Sequence, residues 1–227
     1  MINIKKQIPN TKKTLLFVLL LIIAIFVSFG CARTVTQIVT YGDRLVVEVT
    51  LAGTADANAN RYFMVMSSSS TFKAPLPPPD NILYDELIEP GTIPFQGNIA
   101  DYYTKYYSTW GAYAFVEPAG YFISPGPFVL NQASTREIVG TLSGASNKLD
   151  FTFRIGQAFT VSTPEVIYFD VLSVPWPSGT QKIATDHLIL TNANILKTIG
   201  STVTISDDPN DVVDPALNIT QVKVTVQ

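Results

Sequence analysis

The chain has very little of the two residue types on which most zinc and nucleophilic sites depend. It holds one cysteine, Cys31, and one histidine, His187, in 227 residues. A single cysteine excludes an intramolecular disulfide, and a zinc site normally uses two or three His or Cys ligands. A Ser-His-Asp triad would have to use His187, yet the nearest serine motif, "GTLSG" at Gly140–Gly144, lacks the spacing of a G-x-S-x-G elbow. We therefore expect neither a zinc site nor a Ser-His-Asp triad, and we expect His187 to be structural or exposed to solvent.

Charged residues are also scarce, at 15% of the chain. After residue 30, eighteen acidic residues stand against eleven basic ones, a formal net charge of −7. That sign argues against binding nucleic acid or acidic lipid headgroups through a broad basic surface. The abundant Val, Ile, Thr, Phe and Tyr are instead typical of a β-rich extracytoplasmic protein.

The first thirty residues have the pattern of a targeting segment. Four lysines among the first thirteen residues precede an uncharged, almost wholly apolar run from Leu15 to Phe29. Fifteen helical residues span about 22 Å, whereas a bilayer core is about 30 Å thick. The pattern therefore predicts a signal peptide over residues 1–30 that the mature protein loses.

The apolar run ends in Ser28-Phe29-Gly30-Cys31. This ending resembles the lipobox of bacterial lipoproteins, in which a small residue precedes a cysteine that is lipidated and becomes N-terminal. Gly30 and Cys31 match, whereas Phe29 and Ser28 depart, since the family favours a small residue and leucine there. The resemblance implies a membrane anchor at a lipidated Cys31 and, with Ala32 following, an outer-membrane or cell-surface location. A general secretory signal with an incidental cysteine is the alternative.

Residues 41–227 are predicted to form a single all-β domain behind a short tether of residues 31–40. Apolar and polar residues alternate in "DRLVVEVTLAG", "NKLDFTFRIG" and "NITQVKVTVQ", as they do in half-buried strands. Further predicted strands are Arg61–Ser67, Tyr113–Val116, Phe128–Leu130, Arg136–Leu142, Val166–Val174 and Thr202–Ser206. Short strands separated by Gly, Pro, Asn and Asp predict an antiparallel β-sandwich, immunoglobulin-like or jelly-roll-like, with one short amphipathic helix.

The helix is predicted in the stretch Gly97–Gly111, which holds four tyrosines and a tryptophan. Ile99, Tyr102, Tyr103, Tyr106, Tyr107 and Trp110 stand at offsets 0, 3, 4, 7, 8 and 11, the spacing of one helical stripe. Asn98 is placed to cap the first turn. Gly111 is placed to end the helix in a left-handed conformation.

Two interpretations of the rings stay open at the level of sequence. An amphipathic helix buries its apolar stripe against a sheet, but each tyrosine hydroxyl needs a polar partner or solvent, and partly buried rings beside a cleft build sugar sites. A tryptophan in the proline-flanked loop "SVPWPSGT" is a binding anchor or a cap on the core. The candidate ligand-binding residues are Tyr103, Tyr106, Tyr107, Trp110 and Trp176.

One loop has the composition of a metal site. "SDDPNDVVD" supplies Asp207, Asp208, Asp211 and Asp214, whose carboxylate oxygens suit calcium. The loop departs from the EF-hand pattern, because a proline stands third and no glycine stands sixth. An acidic turn between strands is the alternative, and no cofactor other than calcium is suggested.

These observations favour a lipid-anchored, non-catalytic binding module for carbohydrate or an envelope component, with no nucleic-acid partner. A structural or assembly subunit is the first alternative, for which the rings would form a protein interface. A carboxylate-dependent glycoside hydrolase is the second, since two carboxylates suffice and need not be close in sequence. Its candidate carboxylates are Glu86, Glu89, Glu117, Glu137 and Glu165.

Overall fold

Two antiparallel sheets form the framework of the described chain, which confirms the predicted all-β fold. The computed structural model describes residues 39–77, 86–177, 179–188 and 193–227. The predicted signal peptide and Cys31 lie outside these ranges. Residues Thr40–Gln227 belong to one structural unit.

The first sheet has four strands in the order β10-β11-β1-β6. They are β1 Arg44–Leu51, β6 Lys148–Arg154, β10 Thr202–Ser206 and β11 Ile219–Val226. Burial alternates along β1 and β6, so one face of this sheet points to the core and the other to solvent. The alternation read from the sequence is therefore confirmed, because these strands are buried on one face only.

The second sheet has the order β5-β4-β3-β2-β7-β8, and β9 also pairs with β7. Its strands are β2 Asn60–Ser67, β3 Ala112–Glu117, β4 Gly120–Pro125, β5 Glu137–Gly140, β7 Val166–Pro175, β8 Asp186–His187 and β9 Ala193–Leu196. Strands β2, β3 and β7 are buried along nearly their whole length. Their apolar runs are almost continuous because both faces of this sheet are covered.

Two hydrophobic clusters cover those faces. The first lies between the sheets and joins side chains such as Val47 and Phe153 to Met64 and Phe169. The second lies on the outer face of the second sheet, where Phe63 and its neighbours pack against the rings of the helical segment. The fold therefore has three layers, with the second sheet in the middle.

The helical segment begins as predicted. Helix α1 spans Ile99–Lys105 and is followed by a 3-10 helix at Tyr107–Thr109. Asn98 is the N-cap, and its side-chain oxygen accepts a hydrogen bond from the Ala100 N–H at 2.9 Å. A second short helix, α2, spans Ile155–Ala158. Within the described residues no helix has the length and apolar character of a membrane span.

The predicted role of Gly111 is wrong. Helix α1 ends at Lys105, its C-cap is Tyr106 with φ of −123°, and Gly111 does not have a positive φ. The glycine permits a close approach instead, because a Cβ at this position would lie 2.6 Å from a ring carbon of Phe159.

The predicted strand Phe128–Leu130 is also wrong. These residues form a loop after β4, and the Phe128 ring packs 6.4 Å from Trp110 and 5.5 Å from Tyr113, centroid to centroid. The Phe128 ring therefore covers the second cluster, whereas Val129 and Leu130 are exposed.

Strand register defines two ends of the sandwich. In β1, Arg44 pairs with Arg154 of β6 and Leu45 pairs with Val226 of β11. The C-terminal ends of β6 and β11 therefore lie at the end of the sandwich near Tyr41, here called the proximal end. At the distal end, about 26 Å away at about 3.3 Å per residue, lie the start of β11 and the loop of residues 207–218 that precedes it.

Candidate functional site

Three aspartates converge at the distal end. Asp186 begins β8, whereas Asp207 and Asp211 belong to the loop between β10 and β11. One carboxylate oxygen of each lies within 4.8 Å of the other two. They line a cavity of about 370 Å³, here called the acidic cleft, with Pro77, Thr185, His187, Asp208 and Val212.

Backbone donors hold Asp186 in place. Its Oδ1 accepts from the N–H of His187 at 2.8 Å, and its Oδ2 accepts from the N–H of Ile219 at 2.5 Å. Since β8 lies in the second sheet and Ile219 begins β11 of the first, this carboxylate links the two sheets. Asp186 is 3% exposed, so its position is fixed before any ligand arrives.

The acidic cleft concentrates negative charge. Burial, together with the charges of Asp211 and Asp207, raises the pKa of Asp186 to about 6. Burial also holds the pKa of the neighbouring Asp170 well above its ordinary range. Within the described part of the chain, the residues lining the cleft include four aspartates and no lysine or arginine. A cation is the ligand that this arrangement would stabilise.

Two buried polar atoms lack hydrogen-bond partners among the described residues, one on cleft-lining His187 and one on Asn218, which precedes Ile219. His187 Nδ1 is inaccessible to solvent and has no hydrogen-bond partner among the described residues, and burial lowers the pKa of its ring. The same holds for Oδ1 of Asn218, a fully buried residue whose Nδ2 donates to the carbonyl of cleft-lining Val212 at 3.2 Å. Buried acceptors without partners are rare and call for an explanation.

The predicted acidic loop supplies part of this site. Asp207 and Asp211 belong to the converging trio, and Asp208 lines the cleft. Asp214 is engaged in a local turn, where its Oδ1 accepts from the Ala216 N–H at 2.9 Å. The sequence analysis missed Asp186 because it lies far from the loop along the chain, and only the pairing of β8 with β7 brings it close.

The aromatic candidates in the helical segment lie in the second cluster. Tyr103, Tyr106, Tyr107 and Trp110 are 8%, 3%, 0% and 4% exposed. The Tyr107 ring contacts Trp110 and Tyr103 edge-on, at centroid distances of 4.9 and 5.3 Å. Trp110 Nε1 donates to the Lys73 carbonyl at 2.6 Å, and the Tyr103 hydroxyl donates to the Val129 carbonyl. Their surroundings therefore favour packing over stacking on a sugar.

Trp176 is half-buried at the edge of the same cluster. Its ring lies 5.6 Å from that of Phe63, and the cationic groups of Arg61 and Lys182 each stand 5.7 Å from its centroid. The ring therefore covers the edge of the cluster, and two cationic side chains lie beside it.

Each of the five glutamates considered for hydrolysis has a hydrogen-bond or ion-pair partner. Glu86 accepts from the N–H groups of Phe95 and Lys182, Glu89 from Tyr113, Glu137 from Gln157 and Glu165 from Tyr41, while Glu117 pairs with Arg136 at 3.4 Å. Each therefore has a structural partner.

No protein-family model, curated protein or solved structure matches this chain.

Proposed function

We propose that this chain is a non-catalytic binding module of the cell envelope, anchored through a lipidated Cys31, which binds a divalent cation in the acidic cleft. The observation that carries the proposal is the convergence of Asp186, Asp207 and Asp211 from two separate segments of the chain. The partnerless Nδ1 of cleft-lining His187 gives further support, because it is a polar group that a water bound to the ion would satisfy.

Calcium fits the distances best. It takes six to eight oxygen ligands at about 2.4 Å, so two oxygens on opposite sides of one ion are about 4.8 Å apart. The three aspartate oxygens lie within this limit of one another. Three carboxylates leave coordination positions open, and hydroxyl or anionic oxygens of an envelope carbohydrate would fill them. Recognition would then depend on the cation rather than on stacking.

A glycoside hydrolase is the second candidate, and one observation favours it. Asp186 has a pKa of about 6 and a second carboxylate within 4.8 Å, a combination that resembles an acid and nucleophile pair. Both Asp186 oxygens already accept backbone N–H groups, however, which favours a holding role.

The cation is tested by thermal unfolding of the purified full chain in calcium and in chelator. At a calcium concentration of 100 times Kd, binding to the native state adds about 2.7 kcal/mol, which raises Tm by about 5–10 °C for a protein of this size. The gain should disappear in Asp207→Asn/Asp211→Asn. It should persist in the matched control Asp214→Asn, whose amide oxygen can still accept in the turn. An unchanged Tm of the natural chain in millimolar calcium would refute the cation site.

Two further assays separate the remaining alternatives. Metabolic labelling with a fatty-acid analogue should mark the natural chain and leave Cys31→Ser unlabelled, whereas an unlabelled natural chain contradicts the anchor. Cleavage of envelope polysaccharides that is lost in Asp186→Asn would establish the hydrolase in place of the binding module.

A further inference from the structure

Large apolar side chains are exposed at the proximal end of the sandwich. Tyr41 is 49%, Val161 85%, Leu196 57% and Ile199 52% exposed. We call these four residues the proximal patch. Tyr41 forms a bridge with Thr198, which places the segment around Ile199 beside the start of the described chain.

Register places the other two members at the same end. Leu196 pairs with Val166, the first residue of β7, and Val161 lies in the short loop that leads from α2 to that strand. Helix α2 directly follows Arg154, the proximal end of β6. All four exposed side chains therefore lie at the end from which the chain leads back toward Cys31.

Basic side chains accompany the patch. Lys197 and Arg154 line a shallow, mainly apolar cavity of about 460 Å³ together with Ile155. Lys197 Nζ stands 5.5 Å from the centre of the Tyr41 ring and donates to Thr163 at 2.7 Å. Apolar residues, a tyrosine and long basic side chains are the composition of a surface at a lipid headgroup boundary.

Charge is distributed unequally between the two ends. At the proximal end Arg44, Arg154 and Lys197 stand with Asp43 and Glu165, so this end is close to neutral. The distal end carries the acidic cleft. An anionic membrane surface would repel the distal end and tolerate the proximal one.

Covalent connection limits where the membrane can be. Tyr41 lies ten positions after Cys31, and a fully extended chain of ten steps spans at most about 36 Å. If Cys31 is acylated, the proximal end is thus the part of the domain that the tether always keeps near the bilayer.

From these observations we infer that the proximal patch contacts the lipid surface into which the acyl chains insert, so that the acidic cleft faces away from the membrane. The inference rests on the lipid anchor of the proposed function, and it adds the orientation of the domain and the surface that sets it. The partner is the headgroup layer itself, with the apolar side chains entering its boundary and Lys197 and Arg154 reaching phosphate.

The test uses the full lipidated chain in vesicles of phosphatidylethanolamine and phosphatidylglycerol. Cys31 is the only cysteine, and acylation blocks its thiol, so Val161→Cys provides a single site for an environment-sensitive fluorophore. The matched control is Val213→Cys, at a fully exposed position in the distal loop. We expect a blue shift and strong quenching by brominated lipids at position 161, and neither effect at position 213.

Each other outcome overturns the inference in a distinguishable way. If the protein floats with the vesicles but neither label is quenched, the anchor stands and the lipid contact is refuted. A blue shift at position 161 without quenching by brominated lipid means that another protein or a second copy covers the patch. Failure of the protein to float with the vesicles refutes the anchor and, with it, the orientation.

Discussion

Replacing Asp186 by asparagine should change how the stability of the protein depends on pH. Folding raises the pKa of this carboxyl from 3.8 to about 6, mainly through burial. The native state therefore holds the proton more tightly than the unfolded state. The resulting stabilisation is present below about pH 4 and is lost as the pH rises through about 6. A difference of about two units between the folded and unfolded pKa corresponds to about 3 kcal/mol of free energy of unfolding.

The amide also has a cost that does not vary with pH. Both oxygens of Asp186 accept backbone N–H groups, and the NH₂ of asparagine leaves one of them without an acceptor, at about 1–3 kcal/mol. Because this cost is the same at every pH, it does not affect how the difference in stability between the natural chain and Asp186→Asn changes with pH. Relative to the natural chain, the variant should gain about 3 kcal/mol between pH 4 and pH 7.

The assay is urea unfolding of both proteins from pH 4 to pH 8 in chelator, followed by circular dichroism. Other titrating groups occur in both proteins, so their contributions largely cancel in the difference. Asp214→Asn, in an exposed turn, is the matched control for the loss of a carboxylate. A flat difference for Asp186→Asn would refute the conclusion that burial raises the pKa of this carboxyl. Saturating calcium at pH 7 should stabilise the natural chain and leave the variant almost unchanged.

Three further predictions concern the fold. Trp110→Ala should lower the free energy of unfolding by about 3–5 kcal/mol because it opens a cavity among buried rings, and a Tm within a few degrees of the natural value would contradict this packing role. Gly120→Ala should destabilise far more than Gly144→Ala in thermal melts, since the φ of Gly120 is 134° and its Cβ would meet the backbone carbonyl of Gly140, whereas Gly144 at φ of 51° has open space; equal losses would argue against this close approach of β4 and β5. Lys223→Met should cost less than about 1 kcal/mol by urea titration, because its pair with Glu48 at 2.8 Å is exposed, and a larger loss would contradict the weak pair.

Alternation in the sequence predicts the strands with one solvent face, whereas β2, β3 and β7, which are covered on both faces, were predicted from their apolar runs. Alternation identifies β1, β6 and β11 because polar residues at every second position face water. Strand β4 has no such alternation, since its buried residues fall on both faces, and β8 has only two residues. Periodicity carries little information where a strand is covered on both sides or is very short.

The candidate site was only half visible for a related reason. A run of acidic residues within one loop can be read directly, and Asp207 and Asp211 were found that way. Asp186 reaches them through a strand pairing at the edge of the second sheet and a hydrogen bond from Ile219. Contacts of that kind depend on how distant segments are arranged, which local composition does not encode. Helix α1 was predictable because its cap and its stripe are both local.

The middle position of the second sheet has a consequence for how this sequence can change. Strands β2, β3 and β7 have protein on both sides, so a polar or bulkier residue would disturb one cluster or the other wherever it is introduced. The outer face of the four-stranded sheet, with Glu48, Thr50 and Lys223, borders water. Sequence variation, antibody epitopes and grafted peptides should therefore be tolerated best on this outer face. The inner strands should tolerate only substitutions that keep both the volume and the apolar character of the side chain.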